Sequence, residues 1–471
     1  MRLRFFYLIF GLGSVSACTS GVAYAKADSL PPKKWQEFLR LDREYNVPGR
    51  RGAIVSAENR RVLTVYDFKI AVADFARNEL QHWVKDRAAF ESHFIDSVTR
   101  RFSQIEIGGK AYYRVYVLEG EKDLIAALSQ KYGPPGHELR ATKLNARTSY
   151  LLWDPKRNDE SIIIKLQRPG SSNRPILVRT AVINSDIAES SLQEPHSELI
   201  KFMPERFGIS LIQSNLEFGY VLRSVEGVQT SATHRTEVLP LHGFLGSERI
   251  VNAAANLGLT RAEWIRQEYL PKLARFNAEL NFHQAIYTSA HTQNLMIEID
   301  PKKGSIESFF FKDLADDLYD PELREARHLP VHTDKIPSDV IWNHVVANHS
   351  DDYRVGGNAT GFVSQSVLEH ERDETLHFGL MGDYLEAYKS EAERISGRPI
   401  TLSPESRALI EQLKIPPAEL VANGLAENVL FPLEAMDPIA TEIHDGALAN
   451  FRKLPSPKAG VPECLEKSLT P

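Results

Sequence analysis

Short runs in which apolar and polar residues alternate occupy the first half of the chain, and this pattern predicts β-strands. In Tyr112–Leu118, β-branched and aromatic residues fill most positions, as they do in half-buried strands. Turn-forming Asn, Asp, Pro and Gly residues separate further runs of this kind, at Ser149–Trp153, Ser161–Leu166, Ile176–Val182 and Phe218–Ser224. Consecutive short strands joined by such turns predict an antiparallel sheet.

Helical periodicity dominates the two ends of the chain. A short amphipathic helix is expected at Trp35–Tyr45, and the apolar residues between 61 and 101 predict a helical cap domain. From Asp334 to Leu448 the chain is expected to be mostly helical, with breaks at Gly356-Gly357, Pro399, Pro416-Pro417 and Pro438. Other helices are predicted at Lys122–Tyr132, Ser191–Phe202 and Glu248–Leu257, and a long one runs toward Leu280 from an N-cap at Thr260, with Glu263 three residues later.

A second pair of strands is predicted after the long helix. His291–Ile299 and Ser308–Phe311 have strand-like patterns, and Lys302-Lys303-Gly304 between them suits a hairpin turn. The chain is therefore expected to have an α+β fold, with a helical N-terminal part, an antiparallel-sheet core with a kinase-like hairpin, and a helical C-terminal part. The expected division is a leader at 1–27, a mainly helical domain at 28–130, the sheet-containing core at 131–330, and a helical domain with a mobile tail at 331–471.

The first residues have the pattern of an export signal. Arg2 and Arg4 precede an apolar run from Phe5 to Ala17, which is shorter than the roughly 20 residues needed to span a bilayer. Ala23-Tyr24-Ala25 then offers a small-x-small cleavage site. Val15-Ser16-Ala17-Cys18 also resembles a lipoprotein signal, in which the cysteine is acylated and anchors the protein to a membrane. In either case we expect export, to the periplasm, to an outer-membrane-anchored position or to the medium.

Composition narrows the choice of partners. The chain has 56 basic and 62 acidic side chains and a net charge of −6, without the basic excess typical of proteins that bind nucleic acid. We therefore expect no nucleic-acid partner. The two cysteines are Cys18 and Cys464, and because Cys18 is removed or lipidated, the mature chain is expected to lack an internal disulfide.

One group of charged residues lies on the predicted sheet. Lys165 follows the apolar run Ile162-Ile163-Ile164, and Arg147 and Arg179 lie before and after it along the chain. Cations that converge on one sheet face repel one another unless an anion lies between them, so the group predicts an anion-binding site. The alternative is that Lys165 extends its ammonium out of the sheet into solvent.

A second group lies at one end of the predicted hairpin. His291, Gln293 and Asn294 begin its first strand, and Asp313 follows its second strand. In kinase-like folds an Asn and an Asp on such a hairpin hold the magnesium ions that bridge phosphates. A nucleotide site is therefore one interpretation, and a solvated hairpin end is the other.

The order of these motifs resembles that of a known family. It matches the siderophore synthetases that work without a peptide-synthetase template, of which the aerobactin synthetases are the type. The motifs that carry the resemblance are Asn145-Ala146-Arg147-Thr148, Ile164-Lys165-Leu166, Arg179-Thr180, His291-Thr292-Gln293-Asn294 and Lys312-Asp313. The resemblance covers residues 130–330, and it departs from the family at Asn145, where the family has serine, and at Lys312, where it has arginine.

The resemblance implies a ligase of siderophore biosynthesis that uses ATP and Mg²⁺ to activate a carboxylate of citrate or a related polycarboxylic acid, which an amine or hydroxylamine then attacks. Arg147, Thr148, Lys165 and Arg179 would contact the ATP phosphates or stabilise charge during transfer. His291, Gln293 and Asn294 would line the nucleotide site, and Asp313 with Asn294 would hold the metal. Lys165, Arg147 and His291 would act in catalysis, and His137 would match a histidine that precedes the first motif.

Export leaves two alternatives open, because family members are cytoplasmic and ATP is scarce outside the cytoplasm. The same residues suit a secreted kinase-like phosphoryl or nucleotidyl transferase. They also suit a non-catalytic binding protein for a siderophore or another polyanionic ligand. Tricarboxylate-dependent pyrophosphate release, label transfer from ATP to a protein, and ligand binding without nucleotide turnover would distinguish the three.

Overall fold

The computed structural model describes residues 31–45, 61–75, 80–84, 97–144, 148–167, 181–182, 185, 188–189, 198–213, 216–225, 235–288, 294–314, 318–329, 374–414 and 432–454. These residues form an α+β fold with two main β-sheets, and the predicted fold class is confirmed. The predicted leader with Cys18, and also Cys464, lie outside the described residues. Within the described part of the chain, no helix has the length and apolar character needed to cross a membrane.

A nine-stranded antiparallel sheet organises the first half of the chain. Its strands are β1 (Val62–Ala71), β2 (Leu80–Val84), β3 (Gln104–Ile107), β4 (Lys110–Leu118), β5 (His137–Lys143), β6 (Ser149–Asp154), β7 (Arg157–Gln167), β9 (Phe207–Gln213) and β10 (Leu216–Arg223). They lie in the order β2-β9-β10-β7-β6-β5-β1-β4-β3. Four of the eight pairs join strands that follow one another along the chain, namely β3–β4, β5–β6, β6–β7 and β9–β10.

Both faces of this sheet are covered by other parts of the fold. Successive side chains of a strand point to opposite sides, so neighbouring residues of one strand belong to different cores. In β6, Tyr150 and Leu152 belong to the core on one face. There α3 (Ser97–Ser103) and α4 (Lys122–Tyr132) contribute Phe102, Leu124 and Leu128. The alternate β6 residues face a second, smaller core on the other side of the sheet.

A four-stranded sheet packs on that second face. Its order is β11 (Glu237–Pro240), β13 (Leu295–Asp300), β14 (Ser305–Phe311) and β8 (Ile200–Phe202), with β8 parallel to β14 and the other pairs antiparallel. The β13–β14 hairpin turns at Gly304, whose φ is +77°. A Cβ at Gly304 would collide with the backbone oxygen of Ala253, so the turn requires glycine.

Helices form most of the rest of the described chain. They are α1 (Gln36–Tyr45), α2 (Val72–Phe75), α5 (Leu241–Gly246), α6 (Glu248–Asn256), α7 (Arg261–Trp264), α8 (Leu270–Ala278), α9 (Pro321–Ala326), α10 (Glu374–Ser396), α11 (Pro404–Gln412) and α12 (Pro432–Arg452). Single π-helical turns at Ile265–Tyr269 and Glu279–His283 extend α7 and α8. A two-stranded ribbon, β12 (Ile286–Tyr287) with β15 (Leu318–Tyr319), joins this helical part to the hairpin.

Helix α1 and the turn before it close one side of the layer between the two sheets. Trp35 and Phe38 pack in this layer with Trp153 of β6 and Phe310 of β14. The indole N–H of Trp35 donates to the Ser161 hydroxyl on β7 at 2.6 Å. The predicted helix at Trp35–Tyr45 is confirmed, and its residues belong to the core between the two sheets.

Several sequence predictions are confirmed in detail. The strands at 149–153, 161–166 and 218–223, the helix at Lys122–Tyr132, and the hairpin strands 295–299 and 308–311 all form. Thr260 and Glu263 make the predicted capping box. Helices α10, α11 and α12 confirm the helical C-terminal part, although Pro438 lies inside α12 instead of ending a helix.

In the described part of residues 28–130 four strands form beside the helices, unlike the mainly helical domain predicted there. β1, β3 and β4 form one side of the nine-stranded sheet, which continues without a break into β5 and β6. In β1 the buried residues Val65, Phe68 and Ile70 do not alternate strictly, because both sides of the strand are partly covered, so their spacing lacks the period of two that identifies a strand. Of the predicted helix Ser191–Phe202 only residues 198–202 are described, and the last three of them form strand β8 instead. Of the predicted strand Ile176–Val182 only residues 181–182 are described, as helix.

Candidate functional site

A group of charged residues lies where the layer between the two sheets reaches the surface. Ile163 of β7 and Phe310 of β14 are both buried in this layer. Lys165 follows Ile163 by two positions in β7, and Lys312 follows Phe310 by two positions, directly after the end of β14. By strand alternation, each lysine is expected on the same side as the buried residue two positions before it. The inter-sheet cluster, as we call it, consists of Lys165, Lys312, Asp313, Arg223 and Glu205.

Lys165 and Asp313 meet across the two sheets. The Lys165 ammonium donates to the Asp313 carboxylate although the two residues are 148 positions apart in the sequence. Their side chains are 15% and 22% exposed, so this pair is the part of the cluster nearest to solvent. The alternative that Lys165 extends its ammonium into solvent is therefore wrong, because the ammonium contacts a carboxylate within the fold.

Asp313 has an unusual backbone conformation. It follows the end of β14 with φ of +74°, in the left-handed region that costs a residue with a side chain about 1–2 kcal/mol. Asp tolerates this region better than most residues. Such strain is most often kept at functional positions, where the fold holds a side chain in a required direction.

Arg223 and Glu205 form the buried base of the cluster, and sequence reasoning missed both. Arg223 ends β10, directly opposite Ile163, and its Nε donates to a Glu205 oxygen at 2.9 Å. A second guanidinium nitrogen also donates to Glu205 and lies 3.6 Å from Asp313. Both side chains are only 1% exposed. The two hydrogen bonds to Glu205 hold the Arg223 guanidinium in a position that faces Asp313.

The charges of the cluster shift the pKa values of two neighbouring residues in the chain. Burial lowers the pKa of Lys312 to about 8, with Arg223 and Lys165 adding repulsion and with Asp42 and Asp313 opposing the shift. Burial would raise the pKa of Asp313, but the charges of Lys165 and Arg223 outweigh it and lower that pKa to about 2. Asp313 is therefore a carboxylate at any physiological pH, and the cluster keeps an excess of cations around it.

Two more of the predicted site residues border the cluster. The backbone N–H of Lys312 donates to the backbone oxygen of Asn294 at 3.0 Å, and the Asn294 side chain is buried. Thr148 accepts from the backbone N–H of Leu166 at 2.8 Å, beside the cross-strand pair of Ser149 and Lys165. The structure thus brings together four predicted residues: Thr148, Lys165, Asn294 and Asp313.

The other predicted site residues are not placed in the cluster. Arg147, Arg179, His291 and Gln293 lie outside the described residues, as does Asn145. His137 begins β5 and has its ring nitrogen 3.3 Å from Asp154. The end of β5 nearest to the cluster is Lys143, paired with Tyr150, so His137 lies about a strand length away from the cluster.

The oxygen atoms of Asp313 and Asn294 suit a metal ion that binds together with a phosphate. They suit less well an ion that protein side chains would have to hold alone. In the described part of the chain, no three His, Cys, Asp or Glu side chains come together as a metal site. Mg²⁺ at nucleotide sites needs one or two protein oxygen ligands, because phosphates and water complete its shell. Asp313 and Asn294 offer a carboxylate and an amide, which fits that requirement.

Comparison with known proteins finds similarity among solved structures. No protein-family model matches the chain, and no curated protein matches it significantly. Aerobactin synthetase IucC from a hypervirulent pathotype of Klebsiella pneumoniae is 16% identical, with a TM-score of 0.46 over 72% of this chain and 64% of that one. Aerobactin synthetase IucA from the same pathotype is 13% identical, with a TM-score of 0.46 over 72% of this chain and 62% of that one.

Petrobactin biosynthesis protein AsbB from Bacillus anthracis str. Sterne is 12% identical, with a TM-score of 0.46 over 82% of this chain and 66% of that one. The chain thus spans less than two thirds of the length of these three proteins. At such identities the likeness concerns the fold alone.

Proposed function

We propose that the inter-sheet cluster binds the phosphates of Mg-ATP, and that the protein activates a carboxylate for condensation with an amine or hydroxylamine, as siderophore synthetases do. One observation carries this proposal. Lys165 and Asp313, singled out by their motifs and 148 residues apart, are in contact with each other, with Asn294 and Thr148 beside them. A solvated hairpin end would not require such a convergence.

Each residue has a part in the proposed reaction. Lys165 and Arg223 supply positive charge where the negative charge of the phosphates increases during transfer, which is usually the largest catalytic contribution. Asp313 and Asn294 would hold the Mg²⁺, which when bound would neutralise phosphate charge. Glu205 keeps Arg223 in place, so that the guanidinium need not reorganise when the ligand binds. The acid is a polycarboxylate of the citrate type and the nucleophile an amine or hydroxylamine.

Calorimetric titration of Mg-ATP into the purified protein tests the proposal. We expect Lys165→Gln and Asp313→Ala to weaken binding by about 10–100-fold, since each removes a hydrogen bond or a ligand to a charged group. Lys303→Gln, in the exposed turn of the hairpin, removes the same charge as Lys165→Gln and should leave binding unchanged. Absence of Mg-ATP binding to the unmodified protein at millimolar concentration would refute a nucleotide site.

Turnover assays separate this reaction from the two alternatives. Pyrophosphate release from ATP that depends on a tricarboxylate and an amine would support the synthetase. Transfer of label from the γ-phosphate of ATP to a protein would support a kinase-like transferase instead. Binding of Mg-ATP or a siderophore with no turnover would support the non-catalytic binding protein.

We also propose that the protein works outside the cytoplasm, on the basis of the basic, apolar and small-residue order of residues 1–25. Mass spectrometry of the mature N-terminus would test this. Cleavage after Ala25 would indicate a free protein, and an acylated Cys18 at the N-terminus would indicate membrane anchoring. An intact Met1 in the mature protein would contradict export through this leader.

A further inference from the structure

Lys312 differs from the other cations of the inter-sheet cluster. Its side chain is only 6% exposed, yet within the described ranges its ammonium has no hydrogen-bond acceptor and no carboxylate within 4 Å. An ammonium carries three N–H donors, and buried donors are nearly always satisfied because leaving them unpaired costs free energy. The described side chains therefore leave the Lys312 ammonium available to an acceptor from outside them.

The nearby carboxylates do not meet this need. Asp313 is engaged by Lys165, and Glu205 is engaged by Arg223. Asp42 of α1 attracts Lys312 electrostatically, and its carboxylate lies 3.7 Å from the ring of His242. Lys165 and Arg223 each have a carboxylate partner in contact, so Lys312 is the cation of the cluster that is left without one.

We propose that Lys312 is the residue through which the inter-sheet cluster binds a negatively charged oxygen of its ligand. This rests on the proposed function in taking the cluster as the ligand site. The oxygen belongs either to a phosphate of the nucleotide or to a carboxylate of the acid. A lysine ammonium is a point charge that accepts either geometry, whereas the planar fork of an arginine favours two-point contact.

Binding measurements with three probes test the proposal and identify the source of the oxygen. The probes are sulfate, a bare tetrahedral oxyanion, together with Mg-ATP and citrate. Lys312→Gln should weaken sulfate binding by about 10–100-fold, as expected for a lost hydrogen bond to a charged group. Lys312→Arg should restore most of the affinity because it restores the charge. Lys303→Gln is the matched control, since it removes one positive charge from the same hairpin.

A stability measurement separates a ligand-binding role from a structural one. Lys312→Met keeps the aliphatic stem and removes the unpaired buried ammonium, so it should raise the melting temperature of the ligand-free protein by about 2–4 °C. The same variant should lose the stabilisation that sulfate gives the unmodified protein. A lysine that only supports the fold would show a lower melting temperature on this substitution and an unchanged response to sulfate.

Each outcome decides between the sources or against the proposal. If Lys312→Gln weakens sulfate and Mg-ATP but not citrate, Lys312 binds phosphate. If it weakens sulfate and citrate but not Mg-ATP, Lys312 binds the acid. If sulfate fails to bind, or binds equally to Lys312→Gln, the proposal is overturned, even when Lys165→Gln shows that the nucleotide site is real. Lys312-dependent sulfate binding without any Mg-ATP binding would uphold this inference and refute the proposed function.

Discussion

Two buried groups of charges lie on the nine-stranded sheet, and they differ in how far the fold satisfies them. Between β1 and β4, Arg114 donates from Nε and one terminal nitrogen to Asp67, at 3.0 and 2.8 Å, and from the other to the backbone oxygen of Arg101 at 2.6 Å. Its guanidinium also lies over the rings of Phe102 and Tyr116. Every nitrogen of this cation has a protein acceptor.

The inter-sheet cluster lacks this balance. It contains three cations, Lys165, Arg223 and Lys312, and only Asp313 and Glu205 pair with any of them within 4 Å in the described structure. The buried Asp42 attracts Lys312 without forming an ion pair with it in the described structure, and such an incompletely paired cation costs stability. We therefore interpret the Arg114–Asp67 pair, whose cation is fully hydrogen-bonded, as a structural element, and the contrast supports the binding role proposed for the cluster.

The largest expected effect comes from removing the buried base of the cluster. Arg223→Met leaves Glu205 as an uncompensated carboxylate, and Glu205 is fully buried. We expect the free energy of unfolding to fall by about 3–5 kcal/mol, as it does when one partner of a buried ion pair is removed. Urea denaturation followed by circular dichroism measures the change.

A double variant is the control for this prediction. Glu205→Leu combined with Arg223→Met removes both charges, so most of the lost stability should return while Mg-ATP and sulfate binding stays weak. If the double variant is no more stable than Arg223→Met, the loss comes from packing rather than from the unpaired carboxylate. If ligand binding returns together with stability, Arg223 has no part in the site.

The contrast between the two groups also shows what the sequence could reveal. Lys165 stood out because a lysine follows a run of isoleucines in a strand, and the same signal was available for Arg223, which ends the apolar strand Phe218–Ser224. Arg223 belongs to no recognisable motif, however, so this signal alone does not identify it as a site residue. The predicted Lys165 and Asp313 were found by their motifs, but their contact depends on how two sheets pack and could not be derived from local pattern.

Glu205 and Asp42 gave no usable signal. Glu205 lies in the short link between β8 and β9, and its partner Arg223 is 18 residues away across a strand pair. Asp42 lies on an amphipathic helix, where an acidic residue ordinarily indicates a solvated face. Both are buried because elements distant in sequence cover them, and periodicity reports only whether a local segment has a buried face.

Removing the cation of the Arg114–Asp67 pair is expected to have a smaller effect on stability. Arg114→Met should lower the free energy of unfolding by about 2–3 kcal/mol, because Asp67 remains buried without its hydrogen-bond donors. Burial raises the pKa of Asp67 even with Arg114 present, so protonation can relieve part of the cost and the loss should be smaller than for Arg223→Met. Sulfate and Mg-ATP affinities, measured by calorimetry below the melting temperature, should not change. A loss of affinity here would contradict the division into a structural pair and a binding cluster.

A third charged group, His444 with Asp320 and Asp445, lies in the helical part of the fold, and pH can change the charge of its histidine. His444 of α12 lies 2.7 Å from the Asp320 carboxylate at the start of α9 and 3.2 Å from Asp445. Burial alone would lower the pKa of His444, but the hydrogen bonds and charges of these two carboxylates outweigh burial and raise it above its ordinary value of 6.5. His444 is therefore a cation that the fold fully pairs, like Arg114, but one that can be discharged.

The smallest expected effect is the pH-dependent one. Because the pKa of His444 is higher in the folded than in the unfolded protein, the stability from this pair is complete below pH 6.5 and is lost as pH rises through the raised value. His444→Gln should lower the free energy of unfolding by about 1–2 kcal/mol below pH 6.5, and the difference from the unmodified protein should shrink at higher pH. Urea denaturation of both proteins across this range measures it. A difference that grows with pH would mean that His444 is neutral in the folded state, and the pair would then resemble the unsatisfied cluster more than the balanced one.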